Sequence, residues 1–245
     1  MCGIVGIYLK TKKFEKNLGK MLSGMLNNME SRGPDSAGFA IYKNEKKNIF
    51  KYSLCINDLN FKKFKKEISN KIKKIQLNQH ADHVILKTPI EPKTVIKIIN
   101  TSFPEVSIVG YGYSIEIFKQ VGNPKDVVKK FKLDSFSGTH GIGHTRMATE
   151  SAITTDGSHP YSTGKDECLV HNGSLSNHNN LRRELVKKGN IFNSENDTEV
   201  AAGYVSNSLS NKKSLKHTLT SGLKDLDGFY TFITGTKKGF AVVRD

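Results

Sequence analysis

The sequence predicts an α+β fold in which stacked β-sheets are covered by helices. The chain opens on a strand-like apolar run at residues 3–9 and closes on two more, at residues 229–234 and 240–244. Residues 14–30 repeat apolar side chains at the spacing of a helix with one buried face. Strands at both ends of the chain, together with a helical layer, are typical of stacked sheets covered by helices.

The other elements follow from apolar periodicity and from the residues that interrupt it. A loop at residues 31–35 contains Gly and Pro and precedes a predicted strand at residues 38–42. Beyond residue 138 the chain is rich in Gly, His, Thr, Ser and Asn, and it includes a predicted strand at residues 168–171. Helices are predicted at residues 179–188 and at residues 197–209, where an acidic first turn suits the helix dipole.

Residues 43–133 differ in composition from the rest of the chain. Lysine-rich helical stretches alternate there with strand-like runs at residues 83–87 and 106–110, and residues 95–99 form a further apolar run. Because these apolar runs require burial, we expect an inserted α+β subdomain and not a linker. The whole chain, residues 1–245, is then one domain that contains this insert.

Composition excludes several classes of protein. With 245 residues and a mass of 27.3 kDa, the chain can bury a core without a disulfide or metal staple. No apolar stretch approaches the ~20 residues of a transmembrane helix, and the apolar run after Met1 is too short, and lacks a preceding basic region, for a signal peptide. Three cysteines, Cys2, Cys55 and Cys168, are too few for a secreted disulfide scaffold, so we expect a cytoplasmic protein.

The net charge of +15 raises the question of nucleic-acid binding. Lysine greatly outnumbers arginine, whereas recognition of base edges and phosphates favours arginine. We therefore interpret the excess charge mainly as a solvated surface and keep a nucleic-acid patch as the alternative. Much of the charge lies in one lysine-rich stretch: Lys62, Lys63, Lys65, Lys66, Lys71, Lys73 and Lys74.

Cys2 is the first candidate for chemistry, because removal of the initiator Met would leave it as the N-terminal residue. Its thiol would then lie beside a free α-amine, whose pKa of ~7.7–8.0 is far below the ~10.4 of lysine. Such an amine can be neutral near pH 7 and act as the base that activates the thiol. Considered alone, Cys2 is better explained as a buried cysteine at the start of a strand, and the neighbouring motifs reverse this preference.

Six motifs occur in order along the chain: MCGIVGI, SRGPDSAG, GHTRMATES, SHP, VHNGSLSNHNNLRREL and NDTEV. Together they resemble a class II glutamine amidotransferase domain, of the N-terminal nucleophile hydrolase superfamily. The resemblance spans nearly the whole chain and is thinnest over residues 43–133. It implies a four-layer αββα sandwich of two stacked antiparallel sheets covered by helices. It also implies an enzyme that hydrolyses glutamine to glutamate and ammonia.

The resemblance further implies which residues perform the reaction. Cys2 would attack the amide carbonyl of glutamine and form a glutamyl thioester. The Asn172 side chain and the Gly173 backbone N–H would form the oxyanion hole, a pair of uncharged donors that can be held in place before the reaction. Asn-Gly is also the usual signal of a tight hairpin turn, and without the other motifs that interpretation would be preferred.

Three further residues would recognise the two ends of the glutamine backbone. Arg146 would bind the α-carboxylate through its planar guanidinium, and Thr149 would add a hydroxyl donor. Asp197 would pair with the α-ammonium group, although Asp is also well suited to cap a helix. Arg32 and Asp35 of the RGPD loop would help to shape the rim of the site or, alternatively, form a local ion pair.

Four histidines in the second half of the chain raise the question of a metal site. Their spacing does not match a zinc pattern, and Cys168 has no CxxC partner, so we expect no metal. Structural or loop roles are preferred for all four: His144, His159, His171 and His178.

Variants within the motifs indicate a branch of the family. The sequences HTRMATES and GSLSNHN look most like those of glutamate-synthase-type amidotransferases. Met147 stands where several relatives have an aromatic residue, and Glu150 stands where His is common, which changes the pocket wall but not the nucleophile. The sequence shows no flavin site, Fe–S cysteine cluster or Walker A loop. We therefore expect no cofactor on this chain, and FMN and iron–sulfur centres on a partner synthase.

The expected function is the glutaminase half of an amidotransferase reaction, with ammonia delivered to a glutamate-synthase-like partner chain. One alternative is the amidotransferase part of another synthase, such as amidophosphoribosyltransferase. Another is an inactive basic module that binds nucleic acid or regulates a partner. The joint presence of the five residues with the clearest roles argues against loss of activity: Cys2, Arg146, Asn172, Gly173 and Asp197.

Overall fold

In the computed structural model the described residues are 2–45, 48–148 and 152–245. They form three antiparallel β-sheets with helices packed against them. Numbered in chain order, the strands are β1 (Gly3–Tyr8), β2 (Ser36–Tyr42), β3 (Phe50–Cys55), β4 (Gln76–His80), β5 (His83–Thr88), β6 (Ser107–Gly112), β7 (Ile115–Val121), β8 (His140–Arg146), β9 (Glu167–Leu175), β10 (Gly228–Thr236) and β11 (Gly239–Arg244).

The α-helices lie between the strands, and side-chain caps explain where several of them begin. Asn60, Asn123 and Ser214 each accept hydrogen bonds from backbone N–H groups in the first turn, which have no helical carbonyl as a partner. The helices are α1 (Leu18–Asn28), α2 (Phe61–Lys71), α3 (Pro92–Ser102), α4 (Pro124–Phe131), α5 (His178–Lys187), α6 (Asp197–Ser210) and α7 (Leu215–Asp225).

Each sheet combines strands that are distant in sequence. The first sheet has the order β1-β8-β2-β7, the second has the order β11-β10-β9 and the third has the order β4-β5-β3-β6. Neighbouring strands in all three pair antiparallel. Because β8 pairs with both β1 and β2, the second half of the chain returns to the centre of the first sheet.

The first two sheets are stacked and covered by helices on both outer faces. On the first sheet, α1 and α4 contribute to a buried cluster with Phe39 and Phe118. The layer between the sheets is a second buried cluster, drawn from both of them: Ala40, Tyr42, Ile142, Cys168, Val170 and Ile233. The second sheet packs on α6 and α7 through Ala201, Val205, Leu219, Tyr230 and Phe232. The predicted four-layer αββα sandwich is confirmed.

Strand β8 carries small residues on one face and hydrogen-bonding side chains on the other. A Cβ on Gly143 would lie 2.9 Å from a methyl carbon of Leu26, so this glycine allows α1 to approach the sheet closely. On the opposite face, His140 and His144 each direct Nε2 at a backbone carbonyl of the second sheet, at 2.8 and 2.9 Å. These hydrogen bonds help to fix the position of one sheet over the other.

The third sheet lies within the segment predicted as an insert. Its strands run from Phe50 to Gly112, and α2 and α3 pack on it through a shared buried cluster. Strand β7 and helix α4 also fall within residues 43–133, but they belong to the first sheet, where Phe118 pairs with Phe39 of β2. The separate sheet is therefore shorter than the predicted subdomain, because the apolar strand β7 completes the core of the first layer.

Two helices differ from the sequence-based expectation. Residues Lys12–Asn17 form a 3₁₀ helix, and the α-helix predicted from residue 14 begins at Leu18. Close to that start, Gly19 N donates a hydrogen bond to Phe136 O at 2.9 Å, which ties the helix to the chain entering β8. Helix α7 was not predicted. Among the described residues, no helix combines the length and the apolar character needed to cross a bilayer.

Candidate active site

A cavity of about 250 Å³ opens where β8 and β9 end and α6 begins. Four of the six residues assigned to the reaction line it, and a fifth, Asn172, lies on the wall of an adjoining cavity of about 520 Å³ that also includes Cys2 and Gly173. The lining of the first cavity is Cys2, Arg146, Met147, His159, His171, Gly173, Ser174, His178, Glu195, Asn196, Asp197 and Thr198.

Cys2 lies immediately before β1, and the pairing of that strand determines where its thiol faces. Gly3 is opposite Thr145 of β8, so Cys2 is brought beside the end of β8. Its Sγ lies 3.8 Å from Met147 O, and the residue is partly exposed to the cavity. The thiol is therefore open to a molecule that enters the cavity.

Asn172 and Gly173 lie inside β9, and the alternative of a tight turn is wrong. They pair with Thr231 and Tyr230 of β10 in an uninterrupted ladder. Gly173 has φ = +145°, and a Cβ there would lie 2.0 Å from Phe229 O. Only glycine accepts this backbone conformation without strain, and Gly173 lines the same two cavities as Cys2.

Asp197 is the first residue of α6, but it does not cap the helix. The N-cap is Asn196, whose side chain accepts a hydrogen bond from Thr198 N. The carboxylate of Asp197 instead accepts a hydrogen bond from Leu175 N at 2.9 Å, at the end of β9. Burial raises its pKa, but His171, with the Leu175 N–H and the Thr198 hydroxyl, outweighs that effect and holds the pKa below the ordinary value. Asp197 is therefore an anion at neutral pH.

Thr198 joins two buried histidines beneath the cavity. Its Oγ1 lies 2.9 Å from His159 Nε2 and 3.0 Å from His171 Nδ1. A third histidine, His144, stacks on His159 with ring centroids 3.8 Å apart. Burial lowers the pKa of His144 to about 3, and burial together with nearby charges lowers the pKa of His159 well below 6.5. Both rings are therefore neutral at physiological pH.

This histidine network was not predicted as part of the site. The sequence analysis assigned these side chains structural or loop roles, and their hydrogen bonds within the fold agree with that assignment. His159 and His171 nevertheless also form part of the cavity wall. The SHP motif was a signal for His159, since it lies within the set of family motifs that identified the other site residues.

Arg146 ends β8, is 4% exposed and lines the cavity. One terminal guanidinium nitrogen, Nη1, donates a hydrogen bond to Ala152 O at 3.0 Å. This hydrogen bond fixes the guanidinium against the backbone of Ala152, in the segment that follows β8. Thr149 and Glu150 lie outside the described residues, so the expected hydroxyl donor has no position here.

Asp35 of the RGPD loop contacts the same segment. Its Oδ2 accepts a hydrogen bond from Ala148 N at 2.7 Å, and its backbone N donates to Arg146 O at 3.0 Å. Within the described ranges, the ion pairs do not include one between Arg32 and Asp35. The loop thus shapes the rim of the cavity by holding the backbone after β8.

One group in the described part of the chain has ligand-type atoms close enough to hold a cation. Atoms of Cys55, Asp82 and His83 lie within 4.8 Å of one another. Asp82 is already paired with Lys130 at 2.8 Å, and none of these residues lines the cavity beside Cys2. The cluster is therefore separate from the candidate active site.

Comparison with known proteins places the chain in a family. Residues 144–245 match the glutamine amidotransferase domain. The chain is 48% identical over 248 residues to the glutamine amidotransferase-like protein GlxB of Rhizobium meliloti, with 100% of this chain and 82% of that protein covered. It is 33% identical over 260 residues to a Methanothermobacter thermautotrophicus protein assigned to the glutamine amidotransferases, covering 100% of this chain and 85% of that one.

The fold also matches a solved structure. The structure of the allosteric regulatory enzyme of purine biosynthesis aligns with a TM-score of 0.62 and 19% identity, covering 100% of this chain. This chain spans 37% of the length of that protein, so the likeness concerns the fold of one part of it. The near full-length relatives show that the chain belongs to the glutamine amidotransferase family.

Proposed function

We propose that the chain hydrolyses glutamine to glutamate and ammonia through a thioester on Cys2, and that it delivers the ammonia to a synthase on another chain. The observation that carries this proposal is the convergence of Cys2, Arg146, Gly173 and Asp197 on one cavity. These four residues come from the residue before β1, the end of β8, β9 and the start of α6, so only the folded chain brings them together.

Two charged residues of the cavity lining, Arg146 and Asp197, suit the two charges carried by the α-carbon of glutamine. The anionic carboxylate of Asp197 pairs with the α-ammonium group, and the guanidinium of Arg146 binds the α-carboxylate. Thr149 adds a hydroxyl donor to the carboxylate. With these groups bound, the side-chain amide extends toward Cys2, whose thiol borders the same cavity.

The reaction then follows from the groups around the thiol. The Cys2 thiolate adds to the amide carbonyl, and the negative charge on the carbonyl oxygen is stabilised by the Asn172 amide and the Gly173 N–H. The C–N bond breaks, the leaving nitrogen takes the proton removed from the thiol, and ammonia departs. Water then attacks the glutamyl thioester, which releases glutamate and restores the thiol.

The base for this reaction is the α-amine of Cys2. An amine with a pKa of ~7.7–8.0 can accept the thiol proton near neutral pH and return it to the leaving nitrogen. This role requires removal of Met1, because the nitrogen of a peptide bond is not a base. Mature active protein is therefore expected to begin at Cys2.

The acceptor of ammonia is a glutamate-synthase-like chain that carries FMN and iron–sulfur centres, and the reaction takes place in the cytoplasm. The support for this partner is the form of two motifs, HTRMATES and GSLSNHN. The alternative partner is a synthase such as amidophosphoribosyltransferase. Purification of the chain from its native cell, followed by identification of the co-purifying protein, distinguishes the two: a flavin- and iron–sulfur-containing synthase supports the first, and a phosphoribosyl transferase supports the second.

Kinetics of single variants test the half-reaction. Cys2→Ser is expected to lose nearly all glutaminase activity, because a hydroxyl is a far poorer nucleophile. Arg146→Ala is expected mainly to raise KM, and Asn172→Ala to lower kcat about 10²–10³-fold, the usual effect of removing one oxyanion donor. Wild-type turnover in Cys2→Ser, or Met1 retained in fully active enzyme by intact mass, would overturn the mechanism.

A further inference from the structure

Lys119 is a buried cation directly beneath a wall of the candidate active site. It lies on β7, opposite Gly38 of β2, and is 4% exposed. The chain that follows Arg146 crosses over it between residues 152 and 160, before Tyr161. The residues 157–160 of this crossing are buried, and they include His159, which lines the cavity.

The crossing segment depends on Lys119 for hydrogen bonds that its own backbone does not provide. Residues 152–160 form no helix or strand. Lys119 Nζ donates to Asp156 O and to Ser158 O, each at 3.0 Å. Ser158 is fully buried, so its carbonyl cannot exchange this partner for bulk water. Hydrogen bonds from a charged donor are stronger than those between neutral groups.

Few charged groups of the described residues lie near Lys119. Burial lowers its pKa to about 8, and the charges of Asp156, Glu199 and Cys55 offset part of that effect. Its Nζ lies 4.7 Å from the centre of the Tyr161 ring, and the titratable rings of His159 and His83 lie near enough to sense its charge. The ion pairs of the described ranges do not include Lys119. The two backbone carbonyls are therefore its main polar partners.

His159 connects the segment held by Lys119 to the proposed glutamine pocket. It follows Ser158 directly, and its Nε2 lies 2.9 Å from Thr198 Oγ1. Thr198 in turn donates to Asp197 Oδ1 at 3.2 Å. One continuous set of contacts thus runs from Lys119, through the backbone of residues 156–159, to the carboxylate that faces the cavity.

We infer that Lys119 is a positioning residue for glutamine binding, which holds residues 152–160 so that His159 and Thr198 orient Asp197 in the pocket. This inference rests on the proposed function, because it concerns the affinity of the same cavity for glutamine. Lys119 does not touch the thiol or the oxyanion donors, so its effect is on binding in both the ground state and the transition state.

The kinetic test replaces Lys119 by Met, which has a similar length but no charge and no donor. Lys119→Met is expected to raise KM for glutamine about tenfold while kcat changes by less than about twofold. Lys119→Arg, which keeps the charge and the donors, is expected to restore most of the affinity. If the Met variant does not fold, Lys119→Gln, which keeps a neutral donor, takes its place. The criterion is the same: KM rises while kcat stays nearly unchanged.

Lys51→Met is the matched control. Lys51 is also a buried lysine, 5% exposed, but its Nζ contacts Ser114 O and Glu116 and no residue of the 152–160 segment. The Lys51→Met variant is expected to have a lower free energy of unfolding and an unchanged KM. An equal rise of KM in both lysine variants, or an unchanged KM in Lys119→Met, would overturn the positioning role.

Hydrogen exchange provides a readout that does not depend on turnover. Amides 157–159 are expected to exchange at least about tenfold faster in Lys119→Met than in wild type, and at the wild-type rate in Lys51→Met. Wild-type protein that fails to hydrolyse glutamine would contradict the proposed function, and the exchange comparison would still decide whether Lys119 holds the segment. Unchanged exchange in Lys119→Met would show that it does not.

Discussion

Acidification is expected to destabilise the fold through His144, because this residue is buried as a neutral imidazole. Burial lowers its pKa to about 3, from the ordinary value of 6.5. Below pH 6.5 the unfolded chain binds a proton at this position, whereas the folded chain does not do so until about pH 3. The stability from the neutral imidazole is therefore complete above pH 6.5 and is lost progressively as the pH falls toward 3.

The magnitude follows from the difference in proton binding. At pH 5 the unfolded chain is 1.5 pH units below its own pKa, and each unit corresponds to about 1.36 kcal/mol, so His144 alone reduces the free energy of unfolding by about 2 kcal/mol relative to pH 7. His159 acts in the same direction, since burial also lowers its pKa. A loss of this size is a large part of the net stability of a typical domain.

Urea unfolding at pH 7 and pH 5, followed by far-ultraviolet circular dichroism, measures this loss. His144→Phe removes the titrating group, so its free energy of unfolding should fall by about 2 kcal/mol less than that of wild type between the two pH values. His217→Gln, at an exposed position on α7, should keep the wild-type pH dependence. An identical pH dependence in His144→Phe and wild type would refute the reasoning.

Two more predictions concern Gly173 of β9 and the lysine-rich stretch. Gly173→Ala is expected to abolish glutamine hydrolysis and lower the melting temperature, because the added Cβ meets Phe229 O at 2.0 Å where φ is +145°; wild-type kcat in this variant would contradict it. Charge reversal at the exposed positions Lys62, Lys63, Lys65 and Lys66 of α2 should leave alkylation of Cys2 by a glutamine analogue unchanged. The same reversal should weaken assembly with an acidic synthase surface. This effect should fade as salt rises, because charges are screened over a Debye length of ~8 Å at physiological ionic strength. Lost alkylation in a folded variant would show that the insert contributes to the pocket.

Strands were predictable where apolar residues alternate between recognisable ends. The expected strands at residues 229–234 and 240–244 fall within β10 and β11. The boundary of the insert was harder to predict from the sequence, because only the pairing of β7 with β2 shows that β7 belongs to the first sheet. Periodicity identifies a strand but does not say which sheet it joins.

The residues around the thiol were named from family motifs, and the fold brings most of them together. The supporting contacts were harder to foresee, because they join residues far apart in sequence: Lys119 lies 37 positions from Asp156, and His159 lies 39 positions from Thr198. A lysine within an apolar strand resembles any surface lysine until the loop above it is known. Such partners depend on tertiary packing, which local sequence patterns do not encode.

The division of the reacting groups between two sheets has a consequence for how this protein loses function. Cys2 directly precedes β1 and Arg146 ends β8, and these strands pair in the first sheet, whereas Gly173 lies in the second sheet. His144 is hydrogen-bonded across the gap between the two sheets. The distance from the Cys2 thiol to the proposed oxyanion donor of Gly173 is therefore set by the packing of one sheet on the other.

A compact state that keeps its helices and strands but loosens this packing, as molten globules do, would retain its far-ultraviolet signal and misplace the thiol. On the proposed function, glutamine hydrolysis is thus expected to report on the interior of the sandwich more sensitively than secondary structure does. In mild acid or denaturant, inactivation is expected before any loss of circular dichroism, and a preparation can look folded by that measure while it has no active site.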